Sequence, residues 1–187
     1  MLHIGVIVGS IATESINKKV ALTFPSLTTA DVEFEFIDIS QLPLYSYDYD
    51  ADYPEVALEF KRKIAESDGI IIVTPEYSRS LPGVLKNAMD WAARPWGHSV
   101  WNGKPVAIMG ASGGAIGTAA AQQHLRAILG HYNAPTMGQP EMFFRFTPDA
   151  FQVPGEVTDE GSRQLLTQFV DAAVAHVDLH VKAHAQS

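Results

Sequence analysis

Short apolar runs alternate with amphipathic stretches along most of the chain. The apolar runs predict buried strands, and they lie at 3–8, 32–39, 69–73, 105–109 and, for a short last strand, near 136–144. Apolar residues at helical spacing follow these runs, and the last helix is predicted to begin at about Asp159. The run at 32–39 alternates apolar with acidic residues, which is typical of a strand at the edge of a sheet.

Repeated strand–helix–strand units predict a parallel sheet with helices on both faces, because parallel neighbours are joined by crossover connections. Five strands in this arrangement fit a doubly wound α/β fold with strand order 2-1-3-4-5. The chain has no internal repeat and no linker. The sequence therefore predicts a three-layer sandwich in a single domain that spans residues 1–187.

Three polar or glycine-rich loops follow the first, third and fourth predicted strands. Loop 1 is GSIATESIN at 9–17, loop 2 is TPEYSRS at 74–80, and loop 3 is GASGGAIG at 110–117. The carboxyl ends of parallel strands meet at one edge of the sheet, where open α/β sheets bind their ligands. We therefore expect the three loops to line one crevice.

Loop 1 has the composition of a phosphate cradle built from neutral donors. Ser10, Thr13, Ser15 and Asn17 offer hydroxyl and amide groups where a helix begins, and the free N–H groups at that end favour an anion. Helix capping is the alternative role for the serine and asparagine side chains. The loop is neither a Walker loop nor a G-x-G-x-x-G dinucleotide fingerprint.

The motifs of all three loops, together with the run TPEYSRSLPGVLKNAMDWAARP from Thr74 to Pro95, resemble those of the NAD(P)H-dependent FMN reductases of the flavodoxin-like superfamily. The resemblance covers about residues 2–180. It implies a flavodoxin-like fold, bound FMN, and NADPH or NADH as the reductant. It also implies a small acceptor such as a quinone, a flavin, chromate or an azo compound, and a homodimer or homotetramer.

The resemblance also implies which residues hold the flavin. The predicted cofactor-binding residues are Ser10, Ser15, Ile16, Asn17, Pro75, Glu76, Tyr77, Ser78, Ser112, Gly113 and Gly114. Loop 2 is expected at the edge of the flavin ring and loop 3 at its pyrimidine side. Glu76 has a second candidate role, which is to bond the start of the next helix. Arg79 is expected to contact a phosphate of NAD(P)H or an anionic substrate, with a solvated loop cation as the alternative.

Two positions depart from the pattern of the family. Ala12 stands where the family usually has arginine, and Ser78 stands where it usually has asparagine. One consequence of the missing cation is a phosphate affinity weaker by about 1 kcal/mol or more, the scale of one charge-assisted hydrogen bond. The alternative consequence is a change in how the nicotinamide cofactor is recognised. Lys18 and Lys19 are the candidates to replace that charge.

The predicted chemistry belongs to the flavin, so no side chain of the protein is nominated as catalytic. NAD(P)H is expected to give a hydride to the flavin N5 and leave, and the acceptor then enters the same space in a ping-pong cycle. A flavodoxin-type electron carrier that does not oxidise NAD(P)H is the first alternative. A redox sensor that uses the fold as a scaffold is the second alternative, which an absence of bound flavin would favour.

The composition of the chain excludes several classes of binding partner and site. The chain of 187 residues has a formal net charge of −8 and no basic run, which argues against a nucleic-acid partner. It contains no cysteine, so disulfides, thiolate catalysis and cysteine-based metal sites are excluded. The apolar N-terminal run is too short to span a membrane and reads as the first strand. We expect a cytoplasmic location and no membrane association.

Two sets of aromatic residues, three histidines and three tryptophans, have roles that the sequence leaves open. The imidazoles of His176, His180 and His184 lie at i, i+4 and i+8 of the last predicted helix. We interpret them as a solvated helix face, and no metal site is predicted. The three tryptophans are equally consistent with a core and with a subunit interface, and they are Trp91, Trp96 and Trp101.

Overall fold

The computed structural model describes residues 1–185 and contains one five-stranded parallel sheet with the order β2-β1-β3-β4-β5. The strands are β1 (Leu2–Val8), β2 (Val32–Phe36), β3 (Gly69–Val73), β4 (Val106–Ser112) and β5 (Met142–Arg145). The α-helices are α1 (Ile16–Ala21), α2 (Glu55–Glu66), α3 (Gly83–Ala93), α4 (Ala119–His131) and α5 (Glu160–His184). The predicted fold class and strand order are confirmed.

The two outer strands differ in length from their predictions. β2 lies at the sheet edge, as its alternating pattern indicates, and ends at Phe36. The predicted last strand at 136–144 is wrong in its first half, because β5 begins only at Met142 and Thr136 makes an isolated bridge to Val106. Pro140 lies between them and has no N–H to donate to a continuous ladder.

The strands bury side chains on both faces, which divides the core into two layers. Ile71 and Val73 of β3 belong to the layer that α1 and α5 cover. Ile70 and Ile72 belong to the opposite layer, under α2, α3 and α4. This alternation follows from the two-residue period of a strand. It explains why the strand GIIIV is apolar throughout rather than at every second position.

The three tryptophans divide between core and surface. Trp91 and Trp101 are fully buried, whereas the side chain of Trp96 is 81% exposed. Trp91 is surrounded by the rings of Tyr45 and Tyr53, at centroid distances of 5.1 and 5.0 Å. Two of the three tryptophans are therefore core residues, and only Trp96 is available to a partner.

No helix within residues 1–185 is long and apolar enough to cross a membrane. Within the same residues, no group of three or more His, Cys, Asp or Glu side chains is arranged to hold a metal ion.

His176 is packed against the body of the protein rather than fully solvated as predicted. Its Nε2 lies 3.1 Å from the carbonyl oxygen of Pro135, and its ring lies 4.5 Å from that of His180. Burial lowers the pKa of His176 below its usual value of 6.5, and the Pro135 carbonyl opposes this shift more weakly. The neutral imidazole is thus the form that the folded state favours.

Stability is therefore expected to decline in mild acid. Because the unfolded chain binds this proton more readily, the free energy of unfolding should fall as pH drops through 6.5 toward the lowered pKa of His176. Urea denaturation at several pH values should show a shallower pH dependence for His176→Gln than for the wild type. His131→Gln, at an exposed position, serves as the control, and an equal pH dependence in wild type and His176→Gln would contradict the prediction.

Candidate functional site

Loops 1, 2 and 3 meet at one edge of the sheet, as their positions in the sequence predict. The register pairs Val8 with Val73 and Val73 with Met109, so the strands before the three loops end side by side. The amide of Gly9 donates to Val73 O at 2.9 Å, and the amide of Thr74 donates to Met109 O at 2.9 Å. The ladder therefore continues into the loops and aligns their first residues.

Gly110 allows loop 3 to pack directly against loop 2. A Cβ atom at this position would lie 2.2 Å from the carbonyl oxygen of Thr74 and 1.9 Å from Oγ1 of Thr118. These distances are far inside van der Waals contact, and one of the two partners is backbone. The spacing of the two loops thus depends on the missing side chain.

Asn17 ties loop 1 to the end of β4. Its Nδ2 donates to Ala111 O at 2.9 Å, and its Oδ1 accepts from the Ala111 amide at 2.8 Å. The side chain is 1% exposed. The side chain therefore holds loop 1 against β4, and its backbone amide and the second hydrogen on Nδ2 are the groups left for the predicted contact with the cofactor.

The serine hydroxyls of loop 1 support the local backbone and keep a proton to donate. Ser15 Oγ accepts from the Lys18 amide at 3.2 Å and caps α1, which is the alternative role that the sequence left open. Ser10 Oγ accepts from the Ala12 amide at 3.3 Å. Since a hydroxyl is both a donor and an acceptor, each O–H remains available to an anion.

Loop 1 presents donors that suit the phosphate of FMN. No hydrogen-bond partner within residues 1–185 is found for the amide N–H groups of Ser10, Thr13, Glu14 and Ile16. Unpaired backbone amides that are close together in one loop form a concavity that binds anions. The residues present therefore fit the phosphate group of the cofactor.

The two lysines named as replacements for a missing cation differ in their environments. Lys19 Nζ forms an ion pair with Glu14 at 2.7 Å. Lys18 forms no ion pair within the described part of the chain and lines a cavity beside loop 1. Lys18 is therefore the lysine whose charge is available.

Glu76 holds the start of α4. Its Oε2 accepts from the amides of Ala120 and Ala121 at 3.0 and 3.2 Å, and a carboxylate is favourable at a helix N-terminus. The sequence indicated a bond to the next helix along the chain, which would be α3, and that expectation is wrong. Loop 2 and the first turn of α4 are neighbours at the same sheet edge, whereas they are distant in sequence.

Loop 2 contains a tight two-residue turn at Ser78 and Arg79. Both have positive φ, 51° and 65°, and the amides and carbonyls of Tyr77 and Ser80 bond reciprocally at 2.9 and 3.0 Å. Positive φ at both central positions defines a type I′ turn, which favours Asn-Gly. The Ser-Arg pair therefore holds strained backbone at the predicted ring edge.

Relieving this strain is expected to stabilise the protein. Arg79→Gly should raise the free energy of unfolding by about 1 kcal/mol, since a side chain in the left-handed region costs about 1–2 kcal/mol and glycine returns part of that through the unfolded chain. The melting temperature of the flavin-free protein should rise by about 2–4 °C. Arg79→Ala, which removes the charge but keeps a Cβ atom, should give no such rise. Equal melting temperatures for the two variants would contradict this reading of the turn.

His124 contributes to the site, and the sequence analysis missed it. Its Nδ1 lies 2.9 Å from Ser80 Oγ, so α4 holds the end of the loop 2 turn as well as its beginning. The two residues are 44 positions apart. No local motif marks such a pair, because it is created only when loop 2 and α4 pack together.

Loop 3 and the side chain of Tyr77 leave an open surface at the predicted ring position. Ser112 Oγ accepts from the Gly114 amide at 2.9 Å and shapes the turn. A Cβ atom at Gly113 would meet no atom within 4 Å. Tyr77 and Ile116 are each 54% exposed. Arg79 is also exposed, with its guanidinium 3.7 Å from Glu76.

Comparison with known proteins identifies the family of this chain. A profile of the family described as NADPH-dependent FMN reductase matches residues 2–149. The chain is 52% identical over 176 residues to a 2-hydroxy-1,4-benzoquinone reductase of a Burkholderia species, covering 94% of this chain and 96% of the relative. It is 39% identical over 178 residues to a quinone reductase of Pseudomonas putida, covering 95% of each chain.

A solved structure of a flavoenzyme is also similar to this chain. FerB, a flavoenzyme NAD(P)H:(acceptor) oxidoreductase from Paracoccus denitrificans, superposes with a TM-score of 0.91 at 40% identity, over 96% of this chain and 99% of that one. These matches confirm the enzyme class and the cofactors FMN and NAD(P)H that the loops predicted. The chain belongs to the NADPH-dependent FMN reductase family.

Proposed function

We propose that the protein passes reducing equivalents from NAD(P)H, through FMN, to a small quinone-like acceptor. The observation that carries the proposal is the set of unpaired amides in loop 1, which lie beside the open surface of loops 2 and 3. The names of the relatives direct attention to benzoquinones that carry a hydroxyl group, since one relative at 52% identity is a 2-hydroxy-1,4-benzoquinone reductase. Free flavin, chromate and azo compounds remain secondary acceptors in the proposal.

Each of the three loops is assigned to a different part of FMN. We assign the phosphate of FMN to the amides of Ser10 and Ile16 and to the hydroxyl of Ser15. We assign the ring edge to the backbone of Pro75, Glu76, Tyr77 and Ser78, and the pyrimidine side to Ser112, Gly113 and Gly114. Bound FMN supplies the hydride chemistry, and the loops orient it and provide N–H groups where negative charge develops.

Arg79 is the residue we assign to the charged part of the substrates. Its side chain is 71% exposed, and the Glu76 carboxylate beside it is engaged with the α4 amides. A cation at the rim attracts either a phosphate of NAD(P)H or an ionised hydroxyquinone. Arg79→Ala should therefore raise KM for one of these two, whereas Arg62→Ala, in an exposed ion-pair cluster on α2, should leave both unchanged.

A single open face favours a ping-pong order. NAD(P)H and the acceptor would occupy the same surface above loops 2 and 3, so they would bind in turn. Steady-state initial rates at several concentrations of both substrates should then give parallel lines in a double-reciprocal plot. Intersecting lines would show that both substrates are bound together and would exclude a shared face.

The first experiment is an anaerobic titration of the flavin-loaded protein with NADPH and with NADH, followed at the flavin absorbance band. We expect bleaching by one equivalent and recovery of the colour when 2-hydroxy-1,4-benzoquinone is added. Protein that binds FMN but is bleached by neither nucleotide would support an electron carrier instead. Protein that fails to take up FMN would favour a sensor or scaffold role and would refute the proposal.

We also propose that the protein assembles as a homodimer or homotetramer. Support comes from a groove of about 920 Å³ between the C-terminal ends of α3 and α4, beside the exposed Trp96. The groove is lined by apolar atoms, by the ion pair of Lys86 with Asp90, and by Arg94, which pairs with Asp50. Sedimentation velocity should show an oligomer for the wild type and a smaller species for Trp96→Lys.

A further inference from the structure

A cavity of about 310 Å³ lies beside loop 1, between the carboxyl ends of β1 and β2. Its polar lining side chains are Ser10, Thr13, Lys18, Asp38 and Ser40. Phe36 and Ile39 form an apolar part of its wall, and Ala12 also lines it. Of the residues assigned above to FMN, only Ser10 borders this cavity.

Two opposite charges line the cavity without pairing with each other. Neither Lys18 nor Asp38 takes part in an ion pair within residues 1–185, whereas the adjacent Lys19 is paired with Glu14. Because neither charge is paired, both remain available to a ligand in this cavity. Such a ligand would carry an anionic group for the lysine and hydroxyl groups for the carboxylate.

The carboxylate of Asp38 is held in place by its own loop. Its Oδ1 accepts from the Ser40 amide at 2.9 Å, and its Oδ2 accepts from Ser40 Oγ at 2.8 Å. A carboxylate has about four acceptor positions, so each oxygen retains capacity for one more donor. A vicinal diol, as in a ribose, supplies two such donors side by side.

The size and the position of the cavity further limit the class of ligand that fits it. Pockets for small ligands begin at about 300 Å³, so this one matches a single nucleoside rather than a whole dinucleotide. Loop 1 forms one side of it through Ser10, Ala12 and Thr13. A nucleoside whose phosphate pairs with Lys18 would lie in this cavity, and Phe36 offers an aromatic surface for its base.

We propose that this cavity binds the adenosine phosphate end of a dinucleotide. Lys18 pairs with a phosphate, Asp38 accepts hydrogen bonds from the ribose hydroxyls, and Phe36 and Ile39 contact the adenine. Two dinucleotides carry this group, NAD(P)H and FAD, and the cavity recognises the chemistry that they share. The inference rests on the proposed function for the choice between these two sources, but not for the existence of the site.

The direct test is calorimetric titration of the FMN-loaded protein with ADP as the probe. We expect ADP to bind the wild type, and Lys18→Ala and Asp38→Ala each to weaken binding by about tenfold or more, the scale of one charge-assisted hydrogen bond. Ala12→Leu, which adds an uncharged side chain at the wall of the cavity, should weaken binding. Lys19→Ala should bind ADP as the wild type does. These substitutions are at exposed positions, and unchanged melting temperatures will show that the variants are folded.

Two further measurements distinguish the sources. If the ligand is NAD(P)H, reduced nicotinamide mononucleotide, which lacks the adenosine phosphate, should have a higher KM than NADH or NADPH, and Lys18→Ala should remove that difference. If the ligand is FAD, the protein should take up FAD more tightly than FMN, and Lys18→Ala should remove that preference. Either result supports the site.

The proposal and the proposed function fail in different ways. If no nucleotide bleaches the flavin, the oxidoreductase function is refuted while the ADP titration still reports on the cavity. If ADP does not bind, or binds the Lys18, Asp38 and Ala12 variants as it binds the wild type, the adenosine phosphate site is refuted while NAD(P)H oxidation is unaffected.

Discussion

Replacing Gly110 by alanine is expected to lower the free energy of unfolding by about 3 kcal/mol, at the upper end of the cost of overpacking. The new methyl group would lie 1.9 Å from Thr118 Oγ1 and 2.2 Å from the carbonyl oxygen of Thr74. The threonine side chain could move to another rotamer, but the carbonyl belongs to Thr74, a buried residue directly after β3, and cannot yield without displacing loop 2. The melting temperature should therefore fall by about 6–12 °C.

The same substitution should weaken FMN binding, because loops 2 and 3 would be forced apart at the proposed ring site. Fluorescence titration of the apoprotein with FMN measures this at a temperature where the variant is folded. Gly113→Ala is the matched control: no atom lies within 4 Å of its added Cβ, so the flavin-free protein should keep its melting temperature. If Gly110→Ala melts like Gly113→Ala, loops 2 and 3 are not in the close contact described above.

Replacing Asn17 by alanine is expected to cost about 3 kcal/mol of stability. The change leaves the amide and the carbonyl of Ala111 without their partners in a buried place, and each unsatisfied buried polar group costs about 1–3 kcal/mol. FMN binding should weaken as well, since the link between loop 1 and β4 orients the amides proposed to hold the phosphate. Urea denaturation and FMN titration measure the two effects separately.

Asn102→Ala provides the comparison for Asn17→Ala. Asn102 Oδ1 accepts from Asn133 Nδ2 at 2.8 Å, but this bond is exposed to solvent, where water replaces it. The control should therefore change the free energy of unfolding by less than about 0.5 kcal/mol. A loss for Asn17→Ala no larger than that of Asn102→Ala would mean that the bridge to Ala111 does not hold loop 1.

The positions of the loops were predictable because they follow from the period of the sequence. Apolar runs separated by amphipathic helices leave few topologies, and in a parallel sheet every loop after a strand lies at the same edge. The turn residues were also visible, since serines, glycines and prolines mark loops 1 to 3. The role of each polar side chain in those loops was harder to predict, because its hydrogen-bond partner is often distant in the sequence.

Asn17, Glu76 and His124 illustrate that difference. Asn17 and Glu76 were named from the sequence, but their partners, Ala111 and the first turn of α4, are brought to them only by the packing of the sheet. His124 was not named at all, because its contact with Ser80 has no local signature. Trp91 and Trp96 are a further example: they are five residues apart, and only the folded structure shows that the first is a core residue and the second a surface residue.

The sequence alone determined the α/β class, the strand order, the enzyme family and its cofactors, because these depend on short-range periodicity and on contiguous motifs. The tertiary structure decided which side chains of the loops are engaged in holding the loops together and which remain for a ligand. It also revealed the unpaired charges of Lys18 and Asp38 in one cavity. Those properties depend on contacts between distant segments, and such contacts exist only after the chain has folded.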